Sequence, residues 1–279
     1  MQAMIHSKNF RSYLLMAILV VSLFAFAGCQ ATTEKPSPES SKRALKLRGF
    51  DYDEKSFLRA ASTSDEVAVR TFIDAGMNPN VPEPTTGGSA LISAATRGDL
   101  EMVNALLQGG ADVNQKDEKR FTALLRALQN DREEIANILV ARPELDVNAQ
   151  GEGGANALIS FVARKRVPAV QDLLNRGANV NLPDSEGDTA LNIAVQRGNE
   201  ELVNLLLSKG ADPNIKNKLG GTPLMWAGVF GHKEIAQILL DKGADPRAKD
   251  VDGMTAAAWA AKNNRQEMVE FLKQAETKP

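Results

Sequence analysis

Seven short segments recur along the chain at an almost constant distance. They are SFLRAA from Ser56, SALISAA from Ser89, TALLRA from Thr122, NALISF from Asn156, TALNIA from Thr189, TPLMWA from Thr222 and TAAAWA from Thr255, spaced by 33, 33, 34, 33, 33 and 33 residues. A second series runs in phase with the first: GMNPN at Gly76, GADVN at Gly110, LDVN at Leu145, GANVN at Gly177, GADPN at Gly210 and GADPR at Gly243. A period of this length means that each unit is one supersecondary motif too small to bury its own apolar face. Neighbouring units must therefore stack into one continuous core.

Within a unit, the opening Thr or Ser offers an oxygen to the free amides of a short first helix, and the Leu and Ala positions form its apolar stripe. Gly98, Gly198 and the Gly231-His232 pair then break the helix. A second amphipathic helix follows, as in Glu200 to Leu207, with acids at its positive end. It stops at Gly210, which suits a left-handed cap, and the Asp-Pro-Asn that follows predicts a β-hairpin finger.

These residues resemble the ankyrin repeat, whose T-P-L-H-x-A and G-A-D-V-N signatures are nearly intact around Thr222 to Ala227 and Gly210 to Asn214. The resemblance covers about Leu45 to Lys278. It implies an all-α fold class, a solenoid of about seven helix-turn-helix repeats with β-hairpin fingers occupying residues 45–279. With helix layers about 8–10 Å apart, such a solenoid runs about 60–70 Å. The irregular first repeat and the polar end FLKQAETKP from Phe271 suit capping units. Repeat three has one extra residue and carries Arg142-Pro143-Glu144 where a glycine is expected, which reads as a loop insertion or a local bend.

The N-terminus reads as an address. Lys8 and Arg11 precede an uncharged run from Leu14 to Cys29. The run is short of the roughly 20 residues a spanning helix needs but fits a secretory leader over residues 1–28. Its end, Phe26-Ala27-Gly28-Cys29, resembles the lipobox of bacterial lipoproteins, with Phe26 where that family usually has Leu. The resemblance implies a diacylglycerol on Cys29, a membrane anchor worth about 0.8 kcal/mol per buried methylene, and a place in the bacterial cell envelope. Gln30 after the cysteine implies the outer membrane, with the domain facing the periplasm. Residues 29–44, rich in Pro, Ser and Glu, read as a flexible tether.

Composition closes several function classes. The 279 residues carry a net charge of −2, and loss of the leader removes the positive charges of Lys8 and Arg11. That balance argues against nucleic acid as the partner. One cysteine and two histidines exclude a disulfide framework and a Cys/His zinc site. His6 leaves with the leader, and His232 lies where the family carries a structural histidine, so no general base remains for a serine or cysteine nucleophile. The acid pairs Glu133-Glu134 and Glu200-Glu201 sit at second-helix starts, and the glycines around Glu152 lack the Lys-Ser/Thr of a phosphate loop. The reading is a non-enzyme with no catalytic residues, metal, cofactor or small-molecule substrate.

By resemblance, a protein partner is met by the finger tips and the first-helix face. The two residues before each mid-repeat turn are mostly polar, but Val229-Phe230 is not. The neighbouring fingers add Leu219, Val251 and Met254, and apolar groups gathered on one side suggest an interface. Trp226 and Trp259, at equivalent positions, either border this patch or pack between repeats, and Arg197 joins the candidate set from the repeat before. The expected function is a lipid-anchored protein-binding module acting as adaptor, scaffold or inhibitor. The alternatives are an immunity protein neutralising a toxic effector and a structural envelope protein without a dedicated target.

Overall fold

The computed structural model describes residues 35–277; Cys29 and the leader lie outside the described residues. A lone helix, α1 (Pro38–Leu47), leads into seven helix pairs: α2 (Glu54–Ser62) with α3 (Glu66–Asp74), α4 (Ala90–Arg97) with α5 (Leu100–Gln108), α6 (Ala123–Gln129) with α7 (Glu133–Val140), and α8 (Ala157–Ala163) with α9 (Val167–Asn175). The series continues with α10 (Ala190–Gln196) and α11 (Glu200–Ser208), α12 (Pro223–Phe230) and α13 (Lys233–Asp241), and α14 (Ala256–Lys262) and α15 (Gln266–Thr277). First helices pack on first helices and second on second from one end to the other, which is the solenoid the period predicts. Leu91, Leu106, Leu139, Leu173, Leu206 and Leu224 are fully buried in one core that runs the length of the stack.

Three local expectations need correction. The tether ends earlier than the sequence reading places it. Ser37 caps α1 by accepting the Ser40 amide, Pro38 opens the helix, and Ser41 and Leu45 are buried where α1 packs on α3. Arg48 then clamps Asp65 with two bonds of 2.9 Å. Second, the first repeat is capped by Asp53, which accepts the Ser56 amide at 2.7 Å, so Ser56 lies inside its helix. Thr122, Asn156, Thr222 and Thr255 cap as expected at 2.9–3.4 Å. Ser89 and Thr189 make no such bond.

Third, the fingers are hairpin-shaped but form no β-ladder: among the described residues there are two isolated antiparallel bridges, Pro82 with Ser89 and Gln150 with Asn156, and no strand. Each finger donates one backbone amide to its predecessor: Glu118 to Thr86, Glu152 to Lys119, Ser185 to Gly153, Lys218 to Glu186 and Val251 to Leu219, at 2.8–3.0 Å.

Behind the fingers runs a ladder of asparagines. Asn148 Oδ1 accepts the Asn179 amide of the next repeat at 2.7 Å while its Nδ2 donates to Gly177 O. Asn181 and Asn214 repeat the pattern with Asp212 and Gly210, then with Asp245 and Gly243. The insertion in repeat three leaves the ladder unbroken, because the Glu144 carbonyl takes the place of the glycine and receives Asn114 Nδ2 at 2.7 Å. Arg176 of the following repeat binds the Val140 and Arg142 carbonyls and fixes the longer turn. The extra residue is absorbed as a loop insertion.

Candidate functional site

Between the finger row and the first helices runs a groove whose walls are set by helical periodicity. The fourth and seventh residues after each cap fall on one face of the first helix, one turn apart. In successive repeats these positions hold Ser93 and Thr96, Arg126 and Gln129, Ser160 and Ala163, Ile193 and Gln196, Trp226 and Val229, and Trp259 and Lys262. The wall is thus polar or small at one end and large and apolar at the other.

At the apolar end the groove deepens into a hollow of about 170 Å³ lined by Asn217, Leu219, Gly221, Met225, Trp226, Val229, Asp250, Trp259 and Asn263. Four residues singled out from sequence, Leu219, Trp226, Val229 and Trp259, meet here. Phe230 lies beside the hollow, stacked on Trp226 (6.3 Å) and on His232 (5.9 Å), and stays 41% exposed. Val251 projects into solvent from the last finger tip, and Met254 is half-buried with its amide donating to Asp250 Oδ1 at 2.8 Å. Arg197 stands exposed in the repeat before. Both tryptophans are half-buried, so they support the inter-repeat core and line the hollow at once.

Asn217, Met225, Asp250 and Asn263 were not picked out from the sequence. A signal for two of them was present: Asn217 and Asp250 stand nine residues before Trp226 and Trp259, as Asp117 stands nine before Arg126. The Asp117–Arg126 pair closes at 2.5 Å, and Trp259 Nε1 donates to Asp250 Oδ2 at 2.7 Å. Burial opposes the charge on Asp250. The Met254 amide, the Trp259 indole, the Asp252 amide and nearby Lys262 outweigh it and hold the carboxyl below its ordinary value.

In the preceding repeat this link is missing. Asn217 has one oxygen, already accepting the amides of Leu219 (3.1 Å) and Gly221 (2.9 Å), and its Nδ2 turns to Asp188 Oδ1 (3.1 Å). The Trp226 Nε1 is left buried without an acceptor.

His232 has the packing role that its place in the turn predicts. A Cβ on Gly198 would come within 2.8 Å of the imidazole, so the close approach of the two turns depends on that glycine. Among the described residues no cluster of three His, Cys, Asp or Glu could hold a metal ion, and no helix is long and apolar enough to cross a membrane.

The chain belongs to the ankyrin-repeat family: the family model matches in three copies, over residues 57–151, 143–217 and 202–279. It is 31% identical over 149 residues to an ankyrin repeat-containing protein of Treponema pallidum (strain Nichols), a match covering 53% of this chain and 49% of the relative. The chain spans about half the length of that relative, and 13% of the human transient receptor potential channel subfamily A member 1, to which it is 26% identical over 142 residues.

Among solved structures it is similar to an ankyrin repeat domain from Acinetobacter baumannii AYE, with 28% identity and a TM-score of 0.58, covering 66% of this chain and 96% of that one. It is equally similar to a chain in the complex of a predatory endopeptidase of Bdellovibrio bacteriovorus with an immunity protein, with 30% identity, a TM-score of 0.58 and coverage of 66% and 96%.

Proposed function

We propose that this chain is a protein-binding module, held on a membrane of the bacterial envelope by a lipid on Cys29, that receives its partner in the groove between the fingers and the first helices. The observation that carries the reading is the placing of both tryptophans of the chain around one apolar hollow at one end of the groove. Buried aromatic anchors of this kind dominate protein interfaces. The likeness to a chain in an endopeptidase–immunity complex favours an inhibitor that occludes its partner over a passive scaffold. The lipobox-like Phe26-Ala27-Gly28-Cys29 supports the anchor.

The test is affinity capture from envelope extracts with the tagged full chain and its Phe230→Ala and Trp226→Ala variants. A protein retained by the parent and lost with either variant, at unchanged circular dichroism, supports the groove. Phe230→Ala should weaken its binding by about 2 kcal/mol or more. Equal retention by all three proteins overturns the groove as the site. Loss of the captured protein's activity on adding the purified chain identifies an inhibitor; unchanged activity identifies an adaptor. For the anchor, a palmitate analogue should label the parent and not Cys29→Ser, and an unlabelled parent ends that reading.

A further inference from the structure

The charges of this molecule are sorted by helix type. The first helices α4, α6, α8, α10, α12 and α14 contain no Asp or Glu, and Arg97, Arg126 and Lys262 are their only charged residues. The second helices carry the acids, such as Glu101, Glu133 and Glu201. A chain of net charge −2 therefore presents a cationic helical wall to its groove.

Two of those cations are committed: Arg97 donates to Ala61 O and Arg126 to Asp117. Just past the end of α8, Arg164 is committed as well, donating to Leu128 O and Asp131. The side chain of Arg197, at the position equivalent to Arg97 and Arg164, makes no hydrogen bond or ion pair among the described residues and is exposed one repeat from the hollow. Lys262 lies 4.4 Å over the Trp259 ring at the other side, in ion-pair contact with no carboxylate among the described residues. The acids on the facing fingers are in part committed too: Asp250 is held by the indole and two amides and Asp188 Oδ1 accepts from Asn192 and Asn217, while Glu186 and Asp252 stand exposed on their finger tips.

We propose that the groove's occupant is an acidic segment of the partner protein, with one apolar side chain seated between Trp226 and Trp259 and flanking carboxylates on Arg197 and Lys262. This deepens the protein-binding reading above and rests on it. The spacing fits: neighbouring repeats are about 10 Å apart, and an extended chain advances about 3.3 Å per residue, so a carboxylate three residues from the anchor reaches Arg197. The hollow has room for a single side chain, which suits an extended segment better than a folded element.

Both tryptophans of the chain line the hollow, so tryptophan emission reports its occupancy directly. The full chain in neutral detergent is titrated with the acetylated peptide EDELEDE, which absorbs nothing at the exciting wavelength. A saturable change in emission is expected. It should weaken about tenfold when the peptide's Leu becomes Ala, weaken by a similar factor with Arg197→Glu at unchanged circular dichroism, and weaken further as salt rises.

Three results overturn the proposal: no saturable change up to several millimolar EDELEDE, equal or tighter binding of KRKLKRK, or an equal response to the oligonucleotide dT8, which would make the groove a stacking platform for single strands. A captured protein that depends on Trp226, together with failure of EDELEDE, leaves the protein-binding reading standing and removes the acidic segment. Failure of both experiments removes both.

Discussion

Trp226 and Trp259 occupy the same position in successive repeats, yet their indole N–H groups differ in circumstance, because residue 217 is Asn where residue 250 is Asp. A buried donor without an acceptor costs about 1–3 kcal/mol, whereas removing one partner of a made bond exposes that cost anew. Trp226→Phe should therefore leave stability unchanged or raise it slightly. Trp259→Phe, which takes the indole from Asp250, should lower stability by about 1–3 kcal/mol, both read by urea unfolding followed by circular dichroism.

Asp250 adds a pH dependence. Its folded pKa is depressed, so its contribution is present above the ordinary aspartate value near 3.8 and is lost as pH falls through the lower folded value. The stability gap between the parent and Asp250→Asn should accordingly be widest near neutrality and close in acid below about pH 3.8; a gap that persists there contradicts the assignment. None of this was legible from residue types alone. An aspartate in a turn is ordinary, and the nine-residue offset acquires meaning when the finger is seen to fold back over the helix.

At the scale of elements, the repeat period located every helix pair, because a 33-residue spacing with two motifs in phase leaves little freedom in the register. What the period could not reach was α1, which stands outside it. Its Ser-Pro-Glu start is a helix-opening sequence, but composition points to disorder, and the outcome was decided by tertiary burial of Ser41 and Leu45. The fingers show the reverse case. Their turn residues were correctly read as turns, yet no ladder extends from them: a finger closes on one backbone bond of its own, such as Asp117 N–H to Phe121 O, and gives its tip amide to its neighbour.

Within α11, Leu205 and Leu206 look equivalent in sequence and are not: Leu206 is fully buried and Leu205 only partly so. Leu206→Ala should cost about 2–5 kcal/mol and Leu205→Ala clearly less, measured by chemical denaturation. Equal losses would mean that the second-helix face is rotated from the one described.

Across the whole molecule, the geometry of the candidate site is partly legible in the sequence. An apolar end of the groove could be seen from Val229, Phe230 and the paired tryptophans, since repeats can be superposed by counting. The sorting of charge between first and second helices, and the difference between a committed Arg164 and a free Arg197, required the contacts themselves.

One feature of the stack reaches beyond binding. Because each asparagine makes the same two bonds to the unit after it, Asn181 and Asn214 are interchangeable as junctions. Deleting residues 182–214 would bring Asn181 onto Gly243 and Asp245, the partners Asn214 has now, and the shortened protein should melt cooperatively with its helical spectrum retained. Removing half as many residues should abolish the melt. Single residues can be absorbed in a turn, as in repeat three, but the stack itself can lengthen or shorten only in whole steps of about 33 residues, so its reach and the number of groove positions it displays are inherited as integers.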